Sequence, residues 1–451
     1  MPQNSRVLQQ GWQIHQQGRV DEALAVYQQV LAANPGDAAA HVYAGIAFFD
    51  KRRFDAAEQA YRQAIRLQDP FPVAWNNLGN ALRMLHRVPE ADECFETALR
   101  QQPGYISALK NRGTLWIWSG HVERGLRWYE FGLQHAPQDA ELHRNLGLIY
   151  LLQGRFAEGW PEYRWRWQLP GLSRPACSAP LWHGEQLEGK SVLIYPEQGL
   201  GDAIHFVRVC QDLSQRGAIV YLHCPLNLLP LFTTVCGIHQ LLLPGMPLPP
   251  VDFQCSLIEA AEYLQVYGDC VAKQTPYIAV SDTLEHYWHR WLGATTGFRI
   301  GICWQGNPAH HADHFRSIPL ETFAPLMEQP GIRWISLQHG YGSEQLSQVT
   351  FSERIEKLPS TVDQSNAFLD TAAIMKNLDL VITIDTVTAH LAGALDVPTW
   401  LILGKVPDWR WHLHTSTTPW YPSIRLFRQQ RLGQWSDVMQ SIVMALSVFR
   451  K

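Results

Sequence analysis

The first third of the chain repeats a pattern of small and aromatic positions at a fixed distance. Glycines recur every 34 residues, at Gly11, Gly45, Gly79, Gly113 and Gly147. A column of small residues and a column of aromatic residues keep the same spacing, namely Ala23, Ala57, Ala91, Gly125 and Gly159, and then Tyr27, Tyr61, Phe95, Tyr129 and Tyr163. Because three columns share one register, the pattern predicts repeated helix pairs that touch where the small residues lie.

This period and these columns resemble the tetratricopeptide repeat over about residues 4–168. The resemblance implies five helix pairs stacked into a superhelix, with a groove for an extended chain on its inner face. Asn77, Asn111 and Asn145 are also 34 residues apart. A column of amides can hold a peptide backbone without reading its side chains, and this one resembles the asparagine ladder of the protein O-linked N-acetylglucosamine transferases. Alternatively, asparagine is simply common at this place in the repeat and is solvated.

After the repeats, the apolar pattern changes to short β-branched runs that alternate with helical segments. An aromatic cluster at residues 160–167 is expected to join the repeats to the next domain, and residues 171–180 are typical of a linker. The alternation from residue 191 onward is typical of doubly wound parallel sheets. We therefore predict an α superhelix in residues 1–170, followed by two α/β halves of Rossmann-like type in residues 171–296 and 297–451.

Composition argues against a nucleic-acid or membrane protein. The 451 residues carry a net charge of -4, with 46% hydrophobic and 17% charged residues, and no basic run is present. The amino-terminal segment lacks the apolar core of a signal peptide, and no apolar stretch has the length of a membrane span. We therefore expect a cytoplasmic protein. The eight cysteines are scattered, which favours reduced thiols over disulfides or a zinc site.

The first α/β half offers one candidate for chemistry. A strand at residues 192–195 leads into a turn with Gly199, Gly201 and Asp202, and a helix is predicted at residues 203–213. The two glycines let the backbone approach a ligand closely. Asp202 lies at the helix start, where its alternative role is that of a simple helix cap.

The second half has a long polar loop after its first strand, at residues 298–304. Loops at the carboxyl ends of parallel strands bind ligands in such sheets. The candidates in this loop are Gln305, Asn307, Arg316 and Ser317, among which the Arg316 guanidinium suits a diphosphate. Gln338, after a strand at residues 333–337, and residues 406–411 are expected to line the nucleoside.

The same loop carries His310, His311, Asp313 and His314, which are all possible metal ligands. Since they crowd one loop and have no apparent supporting partners, we expect a solvated loop and no metal site.

A second candidate site lies where a buried strand at residues 380–384 changes into a helix at residues 389–395. Asp385, Thr386, Thr388 and His390 occupy this junction. A strand that turns sharply into a helix presents backbone N–H groups and the positive end of the helix dipole, which together favour a phosphate. A last helix at residues 436–448 is expected to cross back to the first half.

Residues 199–202, 316–319 and 385–391 together are similar to motifs of bacterial heptosyltransferase-like glycosyltransferases of the GT-B fold. The whole chain resembles bacterial proteins that join tetratricopeptide repeats to such a domain. The resemblance implies a nucleotide-sugar donor held mainly by the second half, with Asp202 as general base. It also implies that the Asp385 turn holds the diphosphate or the sugar. In many such relatives a lysine stands where Arg316 stands.

The sequence therefore predicts a glycosyltransferase that moves a sugar from a nucleotide sugar to a hydroxyl acceptor, inverting and without a metal. A protein or peptide in the repeat groove is the expected acceptor, and no cofactor beyond the nucleotide-sugar donor is expected. Two alternatives remain open. The chain could act on lipopolysaccharide or another glycan, with repeats that only recruit partners, or it could be an inactive binding scaffold. The sequence does not name the sugar or the nucleotide.

Overall fold

Helices fill the first part of the chain, as the 34-residue pattern predicts. In the computed structural model, which describes residues 3–267, 275–293, 297–310, 312–364 and 367–449, the chain divides into two compact units. The first unit comprises residues 1–149 and 161–165, and the second comprises residues 150–160 and 166–451. The helices of the first part are α1 (Gln3–Gln16), α2 (Val20–Ala33), α3 (Ala38–Asp50), α4 (Phe54–Leu67), α5 (Pro72–Met84), α6 (Val88–Gln101), α7 (Ile106–Trp118), α8 (Val122–His135), α9 (Ala140–Leu152) and α10 (Phe156–Tyr163).

The glycine and aromatic columns meet within the first unit. A Cβ atom added to Gly45 would lie 2.5 Å from the ring of Tyr61, and one added to Gly113 would lie 2.5 Å from the ring of Tyr129. The corresponding contacts are Gly11 with Tyr27 and Gly79 with Phe95. Because protein interiors leave no room for an atom at such a distance, each glycine allows the two helices of its repeat to pack closely. The prediction of paired helices is confirmed.

The second unit contains two parallel sheets. The elements of its first half are β1 (Ser191–Tyr195), α11 (Leu200–Phe206), α12 (Val209–Gln215), β2 (Ile219–His223), α13 (Leu229–Phe232), β3 (Gln240–Leu242), β4 (Phe253–Ser256), α14 (Leu257–Tyr263) and α15 (Asp282–Leu292). The strands of the first sheet lie in the order β3-β2-β1-β4, and all of its strand pairs are parallel.

The elements of the second half are β5 (Phe298–Cys303), α16 (Asp313–Arg316), α17 (Ala324–Met327), β6 (Ile332–Ser336), β7 (Ile355–Glu356), α18 (Leu369–Met375), β8 (Leu380–Ile384), α19 (Val387–Ala394), β9 (Thr399–Leu403), β10 (Ile424–Arg428) and α20 (Ser436–Phe449). The second sheet has the strand order β10-β9-β8-β5-β6-β7 and is parallel throughout. Strand β8 is buried at all five positions, since both faces of a parallel sheet are covered.

Helix α20 corrects one expectation from the sequence. The sequence predicts that the last helix, at residues 436–448, crosses back to the first half. Instead, Val438, Met439 and Ile442 of α20 lie in the core of the second half, together with Ile300 and Ile382 of its sheet. Its apolar face is therefore buried by the sheet that immediately precedes it in the chain.

The single helix predicted at residues 203–213 is divided into α11 and α12. Arg208 lies at the division and is 1% exposed. Its Nε donates to the carbonyl oxygen of His205 at 2.8 Å, its Nη1 donates to that of Trp420 at 2.9 Å, and its Nη2 donates to the Tyr277 hydroxyl at 2.9 Å. A buried guanidinium needs acceptors on all sides, and the surrounding backbone supplies two of them.

The aromatic cluster near residue 165 contributes to both units. In the first unit, Trp165 stacks on His143, with ring centroids 4.0 Å apart. In the second unit, Arg166 donates to both carboxylate oxygens of Glu197, and Trp167 Nε1 donates to Glu259 at 2.9 Å. These side chains are engaged within the protein, as expected for a structural cluster.

In the part of the chain that the structure describes, no helix combines the length and the apolar character needed to cross a membrane. The free thiols are Cys94, Cys177, Cys210, Cys224, Cys236, Cys255 and Cys303. Cys270 lies outside the described residues.

Candidate functional site

The glycine turn after β1 places Asp202 in the first turn of α11. Gly199 is the N-cap of this helix, with an extended backbone at φ -74° and ψ 169°. Asp202 Oδ2 accepts a hydrogen bond from the Gly199 backbone N–H at 3.0 Å, which is the bond that an acidic residue makes in a capping box. One carboxylate oxygen of Asp202 therefore caps the helix.

The other oxygen of Asp202 faces the second half. Arg410 Nη2 donates to Asp202 Oδ1, and the Arg410 side chain is 5% exposed. Arg410 lies in the 3-10 helix Trp409–Trp411, and its Nη1 donates to Asp408 Oδ1 at 2.7 Å. Its guanidinium also lies 5.1 Å from the centroid of the Phe206 ring. This ion pair joins the glycine turn of the first sheet to the segment that follows β9.

Arg410 is not among the candidate site residues predicted from the sequence. Residues 406–411 are expected to line the nucleoside, but nothing in the local sequence shows that Arg410 bonds a carboxylate 208 residues earlier. The feature of the sequence that could have identified Arg410 is its place between two tryptophans. A guanidinium in such surroundings is buried and therefore needs an anion.

The turn after β8 has the predicted form, with a strand directly followed by a helix. Thr386 is the N-cap of α19, with φ -143° and ψ 179°, and its side chain makes no capping hydrogen bond. The Thr388 hydroxyl points inward and donates to Cys303 Sγ at 3.6 Å. Asp385 is partly buried just before the helix. The Thr386 hydroxyl oxygen is buried. The groups of this turn that can reach a ligand are therefore Asp385 and the first N–H groups of α19.

Arg316 lies beside this turn. Its Nη1 donates to the backbone carbonyl oxygen of Asp385 at 3.0 Å, and its Nε contacts Asp313 Oδ1 at 3.4 Å. Its side chain is 22% exposed. The buried Asp313 organises the loop, since it also accepts from Ser317 Oγ at 2.8 Å and from Gln305 Nε2 at 3.2 Å. The structure thus brings Arg316 and the Asp385 turn together.

Burial shifts the pKa of two carboxyl groups in this region. It raises the pKa of Asp202 above its ordinary value, and the Arg410 guanidinium opposes this shift. Burial and the nearby Asp408 carboxylate raise the pKa of Asp385 to about 6, while Arg316 and Arg410 oppose the shift. Asp202 and Asp385 therefore titrate in a partly desolvated cluster that also contains Arg316, Arg410 and Asp408.

Replacing Asp385 with asparagine should change how stability depends on pH. A carboxyl group with a raised pKa in the folded state stabilises the fold below its unfolded pKa, and this contribution is lost as the pH rises through the folded value. Between about pH 4 and pH 7, the free energy of unfolding of the wild type should therefore fall relative to that of Asp385→Asn by up to about 3 kcal/mol. Urea unfolding of both proteins from pH 4 to pH 8 measures it, and a constant difference across this range would contradict the raised pKa.

Gly201 and His390 contact each other. A Cβ atom added to Gly201 would lie 2.9 Å from His390 Cδ2, so the glycine lets α11 lie against α19. His390 Nδ1 shares a hydrogen bond with the Tyr421 hydroxyl at 3.1 Å, and its ring stacks on Trp411. Burial lowers the pKa of His390 well below its ordinary value, so the ring is neutral. The structure therefore shows His390 and Gly201 packing helix against helix.

Three predicted ligand residues have their side chains engaged within the protein. The Gln338 amide accepts from the backbone N–H groups of Trp304 and Gln305 and donates to the carbonyl oxygens of Gln305 and Tyr341. This leaves Gln338 no polar atom for a nucleoside, so the structure does not support it as a ligand contact. Gln305 bonds Asp313 and Gln345. The exposed Asn307 accepts from the Ala309 N–H at 2.9 Å.

The asparagine column of the repeats is partly linked by hydrogen bonds. Asn111 Nδ2 donates to Asn76 Oδ1 at 2.9 Å, and Asn76 Nδ2 donates to Asn77 Oδ1 at 3.2 Å. Asn77, Asn111 and Asn145 are all partly exposed. These hydrogen bonds use the side-chain oxygen of Asn77 and the side-chain nitrogen of Asn111. The amide donors of Asn77 and the side-chain oxygen of Asn111 can therefore bind a partner.

Within the described ranges, no group of three or more His, Cys, Asp or Glu side chains is placed to hold a metal ion. Asp313 instead bonds the loop residues named above, and His310 Nδ1 accepts from the Ala312 N–H at 3.2 Å. His311 lies outside the described residues.

Comparison with known proteins identifies the first part of the chain. The family model of the tetratricopeptide repeat matches residues 16–72 and 44–106. A thermophilic tetratricopeptide-repeat protein of Thermus thermophilus aligns with 37% of this chain and 91% of its own, with 20% identity and a TM-score of 0.35. The pilF protein of Pseudomonas aeruginosa aligns with 38% of this chain and 78% of its own, with 18% identity and a TM-score of 0.35. The amino-terminal superhelix consists of tetratricopeptide repeats.

A curated relative matches a larger part of the chain. Protein FlbA of Caulobacter vibrioides is 26% identical over 318 residues, which are 65% of this chain and 53% of that protein. The chain thus spans about half the length of this relative.

Proposed function

We propose that the second unit is a nucleotide-sugar-dependent glycosyltransferase of the GT-B type, and that the repeats hold its polypeptide acceptor. The observation that supports this most strongly is the ion pair between Asp202 and Arg410. It joins a candidate base that follows the carboxyl end of β1 to Arg410, a cation that follows the carboxyl end of β9. Ligands of doubly wound sheets bind at such ends.

The donor side of the proposed site is the Asp385 turn with Arg316. The diphosphate would lie at the N-terminus of α19, where the helix dipole and N–H groups favour an anion. Arg316 would contact its oxygens, because its guanidinium is partly exposed and already bonded to the Asp385 carbonyl. Positive charge at the leaving group would come from Arg316 and Arg410, in place of a metal ion.

In the proposed reaction, Asp202 acts as the general base. An acceptor hydroxyl attacks the anomeric carbon, a new carbon–oxygen bond forms with inversion, and the bond to the diphosphate breaks with its electron pair. The hydroxyl proton passes to Asp202, whose oxygens can each accept a further hydrogen bond beyond those from Gly199 and Arg410. The raised pKa of Asp202 makes its carboxylate a better proton acceptor than an ordinary aspartate.

Nucleotide binding tests the donor side directly. Thermal shift with UDP, GDP, ADP and CDP should show one nucleoside diphosphate that raises the Tm, since a ligand that binds only the folded state stabilises it. Arg316→Gln should lower that affinity at least about tenfold, because a charge-assisted contact to phosphate is lost.

Arg354 provides a matched control, because it is an exposed arginine that donates to the Met327 carbonyl oxygen. Arg354→Gln should bind the nucleotide as the wild type does. Equal affinity in the wild type and Arg316→Gln would remove Arg316 from the donor site, and no stabilisation by any of the four nucleotides would argue against the transferase.

A further inference from the structure

Arg83 differs from the other cations on the first helices of the third, fourth and fifth repeats. Lys110 pairs with Glu141 at 2.5 Å, and Arg112 pairs with Asp92 at 2.6 Å and with Glu96 at 2.8 Å. Arg144 approaches Glu141 at 4.0 Å. Among the described residues, Arg83 alone of these four has no carboxylate within ion-pair distance.

The surroundings of Arg83 hold its guanidinium without neutralising it. Nη2 donates to Asn80 Oδ1 at 3.3 Å, and the guanidinium lies 4.9 Å from the centroid of the Trp118 ring on α7. Nε is buried and has no hydrogen-bond partner within the part of the chain that the structure describes. Burial lowers the pKa of Arg83 to about 10. The Arg83 side chain is nevertheless partly exposed, and an anion that reached it would supply the missing counter-charge.

Arg83 also lies beside the asparagine column. It follows Asn80 by three residues on α5, and Asn80 follows Asn77 by three, so the three side chains occupy neighbouring turns of one helix. Trp118 and Asn111 both belong to α7. A bound peptide whose backbone lies along Asn77 and Asn111 would therefore pass Arg83, and its residues would continue beyond Arg83 in both directions.

We propose that Arg83 binds an aspartate or glutamate side chain of an extended polypeptide that lies along the asparagine column. An internal side chain is favoured over a terminal carboxylate because the column continues past Arg83 to Asn145 on α9. If this contact selects the proteins that are glycosylated, the inference rests on the proposed function. The binding of an acidic side chain by Arg83 does not depend on glycosyl transfer.

Fluorescence anisotropy with the full chain and no nucleotide sugar tests the inference. The first probe is a fluorescein-labelled twelve-residue Gly/Ser peptide with two central glutamates and an amidated end. The second probe has glutamines in place of the glutamates, and the third has no acidic side chain but a free terminal carboxylate. The wild type should bind the glutamate probe at least about tenfold more tightly than either other probe, with a preference that shrinks at high salt.

Arg83→Gln should lower the affinity for the glutamate probe to that for the glutamine probe. Arg66→Gln is a matched control, since Arg66 is exposed and also bonds a side-chain amide, that of Gln63. This control should bind as the wild type does. Equal binding of the glutamate and glutamine probes by the wild type would overturn the inference without any variant, as would unchanged binding in Arg83→Gln. Because no donor is present, the result is independent of whether transfer occurs.

Discussion

Replacing Asp202 with asparagine is expected to lower the rate of sugar transfer by about 10²–10⁴-fold, the usual contribution of a general base. Asparagine keeps the size of the side chain and an oxygen that can accept from the Gly199 N–H, so α11 keeps its cap. What is lost is the proton acceptor and the negative charge beside Arg410. Nucleoside diphosphate binding should persist within about threefold, because Arg316 and the α19 turn hold the diphosphate.

The control for this experiment is a second aspartate that caps a helix. Asp37 accepts from the Ala40 N–H at 3.0 Å at the start of α3, so Asp37→Ala should cost about 1 kcal/mol of stability and leave transfer unchanged. If Asp202→Asn retained full turnover, Asp202 would be a helix cap and the partner of Arg410, and the base would have to be another group.

Replacing Arg166 with methionine is expected to destabilise the second unit by about 3–5 kcal/mol, because it leaves a buried carboxylate without its cation. Arg166 and Glu197 are 3% and 1% exposed in their side chains, and two hydrogen bonds join them. Glu197 otherwise accepts from the Ser256 hydroxyl. Since Glu197 begins the turn that ends at Asp202, folded Arg166→Met should also transfer sugar more slowly.

The double variant Arg166→Met with Glu197→Gln separates charge from packing. Removal of both charges leaves no buried ion to desolvate, so the double variant should recover most of the lost stability. Urea unfolding of the wild type, the single variant and the double variant provides the comparison. A double variant as unstable as Arg166→Met would show that the loss comes from other contacts of Arg166.

The repeats could be predicted from the sequence because their signal is local and periodic. Each glycine is followed by its aromatic partner 16 residues later, as in Gly45 and Tyr61, and the contact between them is made within one helix pair. Strands β8 and β9 could also be predicted from the sequence, since each is buried at every position and four of its five residues are apolar. The edge strands β7 and β10 were not predicted, because one has two residues and the other carries Arg425 and Arg428.

The candidate site was predictable only where one short segment carries its chemistry. The turn that joins β8 to α19 contains its own strand end and helix start, so the change of period at Asp385 reveals it. The roles of Arg410, Gln338 and Gly201 depend on partners from distant segments. Gln338, for example, is polar at the end of a strand, where a ligand contact is expected, but its amide joins β5 to β6.

The distinction between local patterns and contacts with distant segments also explains why the helix predicted at residues 203–213 is divided. The sequence there is helical in pattern throughout, and the division at Arg208 arises because Trp420 and Tyr277 accept its hydrogen bonds. These partners follow it by 212 and 69 residues. Tertiary contacts of this kind override local helix preference.

The most direct measurement follows sugar from donor to protein. The chain is incubated with the nucleotide sugar whose nucleoside diphosphate raises its Tm, together with the soluble proteins of a bacterial extract. Released nucleotide is quantified, and the proteins are examined by mass spectrometry. We expect nucleotide release with the wild type together with a mass increase of one sugar residue on an acceptor protein, and neither above background with Asp202→Asn. If the wild type released no more nucleotide than Asp202→Asn and added no sugar, the proposed transferase activity would be contradicted.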